Sequence, residues 1–334
     1  MAKHGEVKSA WRGWSVWSLW RSCRSHGGGL LEIDPRSLGV FRIYFGVLCI
    51  VDIWLHLPQL SSIYSDNGLF SSAVTLSLME PNESYPLSLL YTFHSPPLIS
   101  LFCLSTLASA LSFTIGYRTR FFQVITALGM ISIHNRQRAI MGGFDLHNVW
   151  WLWTLCLPLG RRWSLDALLK SWGAPDLEER SLNRHRRGDN RPYLSLAKVG
   201  ITLTIFCVYS MHELIRSVPY WFVITPLVII PLCLSPIVRL WPYRIALIGL
   251  FIFNFIVSLK GNEDLNALWM MGGLSLLIRA EEWSILSRWF KPNSEPITIY
   301  YDSDCGVCHA CARLAARLDR YSLLSWRGRS RPVQ

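Results

Sequence analysis

The sequence has few charged residues for its length. Of 334 residues, 16% are charged and 51% are hydrophobic, whereas about a quarter of the residues in an average soluble protein are charged. The basic residues behind the net charge of +11 are spread along connections between apolar runs, which argues against a nucleic-acid-binding domain. We therefore expect the lipid bilayer as a partner, and no nucleic acid.

Two further absences concern location. The N-terminus lacks an apolar core of about 7 to 15 residues followed by a cleavage site, so we predict no secretory signal. The 39 residues from Pro58 to Pro96 contain no Lys or Arg. Because Lys and Arg are concentrated in cytoplasmic connections, this segment is predicted to be a large non-cytoplasmic loop.

Apolar runs predict an all-α multi-pass membrane protein with about eight transmembrane helices, and between six and eight in all. Five runs are close to the spanning length: Leu38–Leu57, Pro97–Tyr117, Tyr193–Ile215, Tyr220–Leu240 and Pro242–Leu259. Three are shorter: Phe121–Ile133, Phe144–Gly160 and Leu265–Ile278. The Lys and Arg in most other connections predict that both termini lie in the cytoplasm. The stretch "HNRQR" is the exception, since it places two arginines on the outer side.

Three domains follow from this pattern. Residues 1–36 are predicted to be a basic, Trp-rich cytoplasmic leader, either an amphipathic helix at the membrane surface or an unstructured segment. Residues 37–285 form the transmembrane domain, with a cytoplasmic linker at 161–193. Residues 296–334 form a short C-terminal segment.

Ionisable residues inside apolar spans usually face a protein interior or a water-filled cavity. Arg42 and Asp52 both lie in the first run, about 15 Å apart along a helix, so they cannot pair. Arg42 is either functional or extends to the inner membrane surface. Asp52 lies near the outer end, where it can be solvated.

The densest polar stretch runs from His134 to Trp151. If a helix begins near Phe144, Asp145 and Asn148 share one face while His147 lies on another. A ligand site and an exposed loop that caps two helices both remain open. A metal site formed by His134, Asp145 and His147 has suitable ligand types but no recognised spacing, so we expect no metal.

The segments "SLGVFRIYFGVLCIVD", "YSDNGLF" and "IGYRTRFFQVITALGMISIHNRQRAIMGGFDLHNVWW" resemble the HTTM domain, a multi-spanning module related to vitamin K-dependent gamma-carboxylase. The resemblance implies a bacterial inner-membrane protein without an assigned reaction, which binds a lipid-like small molecule, with quinone as a possible cofactor, at an outer-facing polar cluster. The ligand-binding candidates are His134, Asn135, Arg136, Asp145, His147, Asn148, Arg42 and Asp66.

The carboxylase relatives oxidise a reduced quinone with O2 and use an active-site lysine as the base. No lysine occurs between Lys198 and Lys260, so that base cannot be carried over to any position. We therefore do not expect carboxylation, and whether the chain is an enzyme stays open. A non-catalytic membrane scaffold or a transporter is an alternative, and the protein partner is unknown.

The C-terminal stretch "ITIYYDSDCGVCHAC" resembles the DCC family, thiol-disulfide oxidoreductase-like proteins with the motif Asp-x-x-Cys-x-x-Cys. Cys305 and Cys308 would be the redox pair, at a strand-to-helix turn that favours thiolate. The sequence predicts a short β-α fragment of thioredoxin-like type, with too little chain after it to complete that fold. We therefore expect a truncated remnant of the DCC family, with redox activity only if a partner completes the fold. Iron–sulfur and zinc sites remain as alternatives for Cys305, Cys308 and Cys311.

Overall fold

The computed structural model describes residues 32–66, 68–77, 87–141, 146–172, 193–215, 240–259, 265–289, 297–302, 305–318 and 324–329. These residues are mostly helical, which confirms the helical part of the predicted fold class. Nearly all of the leader, most of the linker and the predicted span Tyr220–Leu240 except its last residue lie outside the described residues.

Eleven helices and four strands are described. In chain order they are β1 Glu32–Ile33, α1 Pro35–His56, α2 Ser72–Ser77, α3 Pro96–Ile115, α4 Thr119–Met141, α5 Leu146–Leu155, α6 Leu165–Trp172, β2 Tyr193–Leu194, α7 Leu196–Ile215, α8 Leu240–Leu259, α9 Asn266–Ser275, α10 Ala280–Trp289, β3 Ile297–Asp302, α11 Gly306–Leu318 and β4 Leu324–Arg329. Short 3-10 and π-helical turns cover Leu57–Gln59, Leu60–Tyr64 and Leu89–Thr92.

The described residues form two compact units. One contains Glu32 and the described residues between Leu194 and Ile248, including α7. Within it, the Lys198 ammonium donates to the Glu32 carbonyl at 2.6 Å. The other unit contains the described residues from Ile33 to Tyr193 and from Gly249 onwards, and it holds every candidate site residue that the structure describes.

Two helical segments of the described chain are long and apolar enough to cross a membrane. They are Pro35–Gln59 and Pro96–Ile115, with mean hydropathy 1.9 and 2.0. Proline in the first turn of α1 and α3 suits a position where the backbone N–H needs no partner. Leu196–Ile205 and Tyr243–Ile256 are apolar but shorter. Of the eight predicted transmembrane helices, the described residues therefore contain two of sufficient length and hydropathy, Pro35–Gln59 and Pro96–Ile115.

Helix α4 corrects the prediction for the polar stretch. The sequence placed "HNRQR" in a connection after a short span, but α4 runs without a break to Met141. The helix continues because the polar side chains find partners: Asn135 donates to the Leu87 carbonyl at 2.7 Å and Arg136 donates to the Phe70 carbonyl at 3.0 Å. The next described helix covers Leu146–Leu155, within the predicted run Phe144–Gly160.

Aromatic rings fill the core of the larger unit. Phe45 on α1 makes edge-to-face contacts with Trp151 and Trp269, with ring centroids 4.9 and 4.6 Å apart. Glycines allow the helices to approach closely, because a side chain at Gly46 would collide with Thr114 and one at Gly129 with Thr106. Such small-residue contacts are typical of helix packing in membranes.

Arg42, on α1, joins three parts of this unit. Its guanidinium is fully buried and donates to the carbonyls of Thr114, Leu159, Arg162 and Trp163 at 2.5 to 3.3 Å. These carbonyls belong to the end of α3 and to the connection between α5 and α6. The guanidinium therefore supplies hydrogen-bond donors to carbonyls that have no helical N–H partner, at the end of α3 and in the connection between α5 and α6.

Gly116 makes room for that guanidinium. It ends α3 with a left-handed φ of 81°, which glycine adopts without strain. A side chain there would lie 2.9 Å from Arg42 Cζ. Asp166 at the start of α6 completes the junction, since its carboxylate accepts from the backbone N–H groups of Arg118 and Thr119 at 2.8 and 2.7 Å.

The C-terminal segment is a β-α-β unit. Strands β3 and β4 are parallel, with Ile297 opposite Leu324 and Asp302 opposite Arg329. Tyr301 and Trp326 pack with Ala312 and Ala316 of α11. The sequence predicted the first strand and the helix but not β4, and it did not predict that α6, within the supposed linker, packs against α11.

Replacing Arg42 by methionine should destabilise the helical unit. The change leaves up to four buried carbonyls without a donor, so we expect the free energy of unfolding to fall by about 3 kcal/mol. Chemical unfolding in detergent measures this loss. Arg288→Met, at an exposed position of α10, is the matched control, and equal stability of the two variants would contradict the role of Arg42.

Candidate functional site

Arg136 is a buried charge with incomplete hydrogen bonding. Its side chain is fully buried, and one terminal nitrogen donates to the Phe70 carbonyl and lies 4.0 Å from the Asp66 carboxylate. The guanidinium carbon lies 4.6 Å from the centre of the Tyr91 ring. The guanidinium also interacts with the Tyr91 hydroxyl, but neither Nε nor Nη1 reaches hydrogen-bonding geometry with an acceptor among the described residues. Such unpaired buried donors are rare because they are costly.

A second group of polar side chains lies beside it. His134 Nε2 is 2.8 Å from the Asp52 carboxylate, and His56 Nδ1 donates to the Asp52 carbonyl at 2.7 Å. The two imidazole centroids are 6.2 Å apart. Asp52 is buried, with 2% exposure, so the expectation that it is solvated is wrong: His134, on a helix predicted to end earlier, covers it.

Tyr64 connects the two groups. It is buried, and its ring centroid lies 6.2 Å from that of His56. The phenol also interacts electrostatically with the charges of Asp52 and Arg136. Burial and the Asp52 charge raise the pKa of Tyr64, with Arg136 opposing them, so the phenol remains a neutral donor. Its hydroxyl has no hydrogen-bond partner in the described part of the chain.

Asp66 is held as a carboxylate. Partial burial acts to raise its pKa, but hydrogen bonds from the Ser72 N–H and hydroxyl, both at 2.7 Å, and from His94 at 2.5 Å lower it to about 2. Asp66 therefore supplies one negative charge at the edge of the Arg136 guanidinium. We call Asp52, His56, Tyr64, Asp66, Tyr91, His134 and Arg136 the Arg136 cluster.

The structure brings several predicted residues together. Asn148 donates to the side-chain oxygen of Asn135 at 2.6 Å, and His134 and Asn135 directly precede Arg136 on α4. Arg42 lies apart, about 15 Å along α1 from Asp52, among the carbonyls described above. Asp145 lies outside the described residues, and His147 is described only as part of the α5 backbone.

Sequence reasoning missed Tyr64, Tyr91 and His56. His56 follows Asp52 by four residues, so helical periodicity could have placed them on one face. The two tyrosines lie in short 3-10 and π-helical turns between helices. No local sequence pattern shows that tertiary packing brings these two tyrosines next to Arg136.

Cys305 and Cys308 lie where the strand-to-helix motif predicts. The Cys305 carbonyl accepts from the His309 N–H at 3.0 Å, so Cys305 caps α11, and its sulfur accepts from the Cys308 N–H at 3.5 Å. Hydrogen bonds from Cys308 lower the pKa of Cys305, and the bond to Cys305 raises the pKa of Cys308. Cys305 is thus the more acidic thiol of the pair.

The described residues contain no group of three or more His, Cys, Asp or Glu side chains arranged to hold a metal ion. Comparison with known proteins gives no family: no family model, no curated protein and no solved structure matches the chain. The functional argument therefore depends on the geometry of the Arg136 cluster and of the two cysteines.

The acidity of Cys305 predicts selective alkylation. Its pKa lies below that of an ordinary thiol, so at neutral pH more of it is thiolate and iodoacetamide should modify it faster than Cys308. Mass spectrometry after short exposures over a range of pH measures both rates. A cysteine-containing peptide is the reference, and a Cys305 rate equal to that of the peptide at every pH would contradict the geometry.

Proposed function

We propose that this chain is a multi-pass bacterial inner-membrane protein of the HTTM type, with both termini in the cytoplasm, whose Arg136 cluster binds a quinone or another lipid-like molecule. The observation that carries the proposal is that three buried donor groups, Arg136 Nε, Arg136 Nη1 and the Tyr64 hydroxyl, have no acceptor among the described residues. An oxygen of a bound ligand would supply that acceptor.

The outward surface of the apolar helices supports the membrane location. Large apolar side chains of α3 point away from the packed interior, including Leu101 at 63% exposure and Ile115 at 59%. In water such a surface would favour association or aggregation, whereas lipid chains cover it without cost. The segment between Gln59 and Pro96, which holds Tyr64, Asp66 and Tyr91, lacks Lys and Arg and would face outward.

The donors of the cluster suit a quinone head group. A quinone carbonyl accepts hydrogen bonds, and a guanidinium beside a neutral phenol offers a charged donor and an uncharged one. When bound, a quinone supplies two-electron redox chemistry coupled to two protons. The Asp52 carboxylate and the two histidines around it provide groups that can hold or move protons at that position.

Removing the Tyr64 hydroxyl tests this directly. Because that hydroxyl has no partner in the described protein, Tyr64→Phe should leave the melting temperature unchanged while weakening the binding of decylubiquinone about fivefold, the value of one neutral hydrogen bond. Arg136→Gln should weaken it further. Titration of detergent-purified protein, followed by tryptophan fluorescence, measures the affinity.

Tyr117→Phe, at an exposed residue after α3, is the matched control and should bind like the wild type. Oleate is the second probe: if it binds in a Tyr64-dependent manner and the quinone does not, the ligand is a lipid carboxylate. If Tyr64→Phe binds both probes as tightly as the wild type, the cluster is not the ligand site.

Thiol-disulfide exchange is a second candidate function. Cys305 has the features of an attacking thiol, since it caps a helix, accepts a hydrogen bond at sulfur and is partly exposed. Helix α11 packs against α6, and strand β3 pairs with β4. The C-terminal β-α-β segment therefore has packing partners that were not expected from the sequence. Attack of Cys305 on a substrate disulfide and release by Cys308 would transfer two electrons to the substrate.

The proposed topology places α11 in the cytoplasm and the segment between Gln59 and Pro96 outside, so cysteines in the two places should be labelled from opposite sides of the membrane. A maleimide that cannot cross membranes should label Cys308 in inverted vesicles but not in intact cells. Leu87→Cys, at an exposed position before Leu89–Thr92, should show the reverse pattern. Labelling of both positions from the same side would contradict the proposed topology.

A further inference from the structure

Three cysteines lie at intervals of three residues along the start of α11. Cys305 caps the helix and is partly buried, while Cys308 and Cys311 are exposed. The buried side of the helix carries other residues, among them His309 and Ala312. Residues three apart are neighbours on a helix surface, so the three thiols form one row open to solvent.

Helix geometry permits two disulfides in this row and excludes the third. Residues three apart in an α-helix have Cα atoms about 5 Å apart, and residues six apart are about 10 Å apart. A disulfide needs a Cα separation between about 4.4 and 6.8 Å. By this measure Cys308 can pair with either neighbour, whereas Cys305 and Cys311 cannot pair with each other. A disulfide also needs Cβ atoms about 3.5 to 4.5 Å apart, and residues three apart in a regular helix have theirs about 5 to 6 Å apart. Cys305 precedes the helix, but the Cys308–Cys311 bond requires the first turn of α11 to tighten.

We propose that Cys311 is a third redox thiol, which takes the disulfide from Cys305 by exchange at Cys308. This rests on the thiol-disulfide exchange proposed above. The function of the third thiol is to restore Cys305 as a free nucleophile while the disulfide is held at the two exposed positions.

The exchange is balanced without a further oxidant. A substrate disulfide first oxidises Cys305 and Cys308, and both substrate sulfurs leave as thiols. The Cys311 thiol then loses its proton to water, and its thiolate attacks Cys308 Sγ. The Cys308–Cys311 bond forms as the Cys305–Cys308 bond breaks, and the electron pair leaves on Cys305 Sγ.

Two contacts favour this direction. The Cys308 N–H hydrogen-bonds to Cys305 Sγ, which stabilises Cys305 as a leaving thiolate, and a more acidic thiol leaves faster. Cys311 is close enough to Cys308 for its charge to contribute to raising the Cys308 pKa. An external dithiol could then reduce the exposed Cys308–Cys311 disulfide.

Differential alkylation of the full-length protein tests the exchange. The protein is oxidised with a limited amount of glutathione disulfide, free thiols are blocked with iodoacetamide, and disulfides are reduced and labelled with N-ethylmaleimide. Fragment spectra then show which of the three cysteines was free. We expect two singly blocked species, one at Cys305 and one at Cys311, with none at Cys308.

Variants separate the possible outcomes. Cys311→Ser should abolish the species blocked at Cys305, and Cys305→Ser should still form the Cys308–Cys311 disulfide. Cys156→Ser, at another exposed cysteine, should change nothing. If the wild type is blocked only at Cys311, the exchange is refuted but the thiol function stands; if none of these disulfides forms, both fail.

Discussion

The burial of arginine inside an apolar helical unit is the constraint on which the rest of the structure depends. A guanidinium away from water must find acceptors for its donors. Arg42 finds four backbone carbonyls, and in doing so it fixes the junction of α1, α3 and the segment before α6. Gly116, with its left-handed φ, and Asp166, bound to the start of α4, then follow as requirements of that junction.

Arg136 has the same charge in the same unit and a different environment. It has one carbonyl, one carboxylate at 4.0 Å and an aromatic ring. The two buried arginines therefore differ. Each nitrogen of the Arg42 guanidinium has an acceptor within the fold, whereas Nε and Nη1 of Arg136 have none among the described residues. We infer a structural role for the first arginine and propose a binding role for the second. Tyr64 adds a neutral donor at the same place.

Some elements of the fold and of the candidate site could be predicted from the sequence, and others could not. Apolar length located α1 and α3, and the Cys-x-x-Cys spacing located the turn before α11, because both signals are local. It did not predict that α4 continues through Arg136, since the partners of that polar turn are carbonyls at Phe70 and Leu87, about 50 residues or more away in the chain. Nor did it predict β4, whose residues pair only with a strand before the intervening helix. Long-range pairing of this kind has no local pattern.

A structure of the full-length protein in lipid nanodiscs, at a resolution that shows side chains, tests the central claim most directly. The claim predicts density from a molecule other than the protein within hydrogen-bonding distance of Arg136 Nε or Nη1 and of the Tyr64 hydroxyl. A carboxylate of the chain itself bonded to those nitrogens, with protein atoms filling the space beside Tyr64, would contradict it and make Arg136 a second structural arginine.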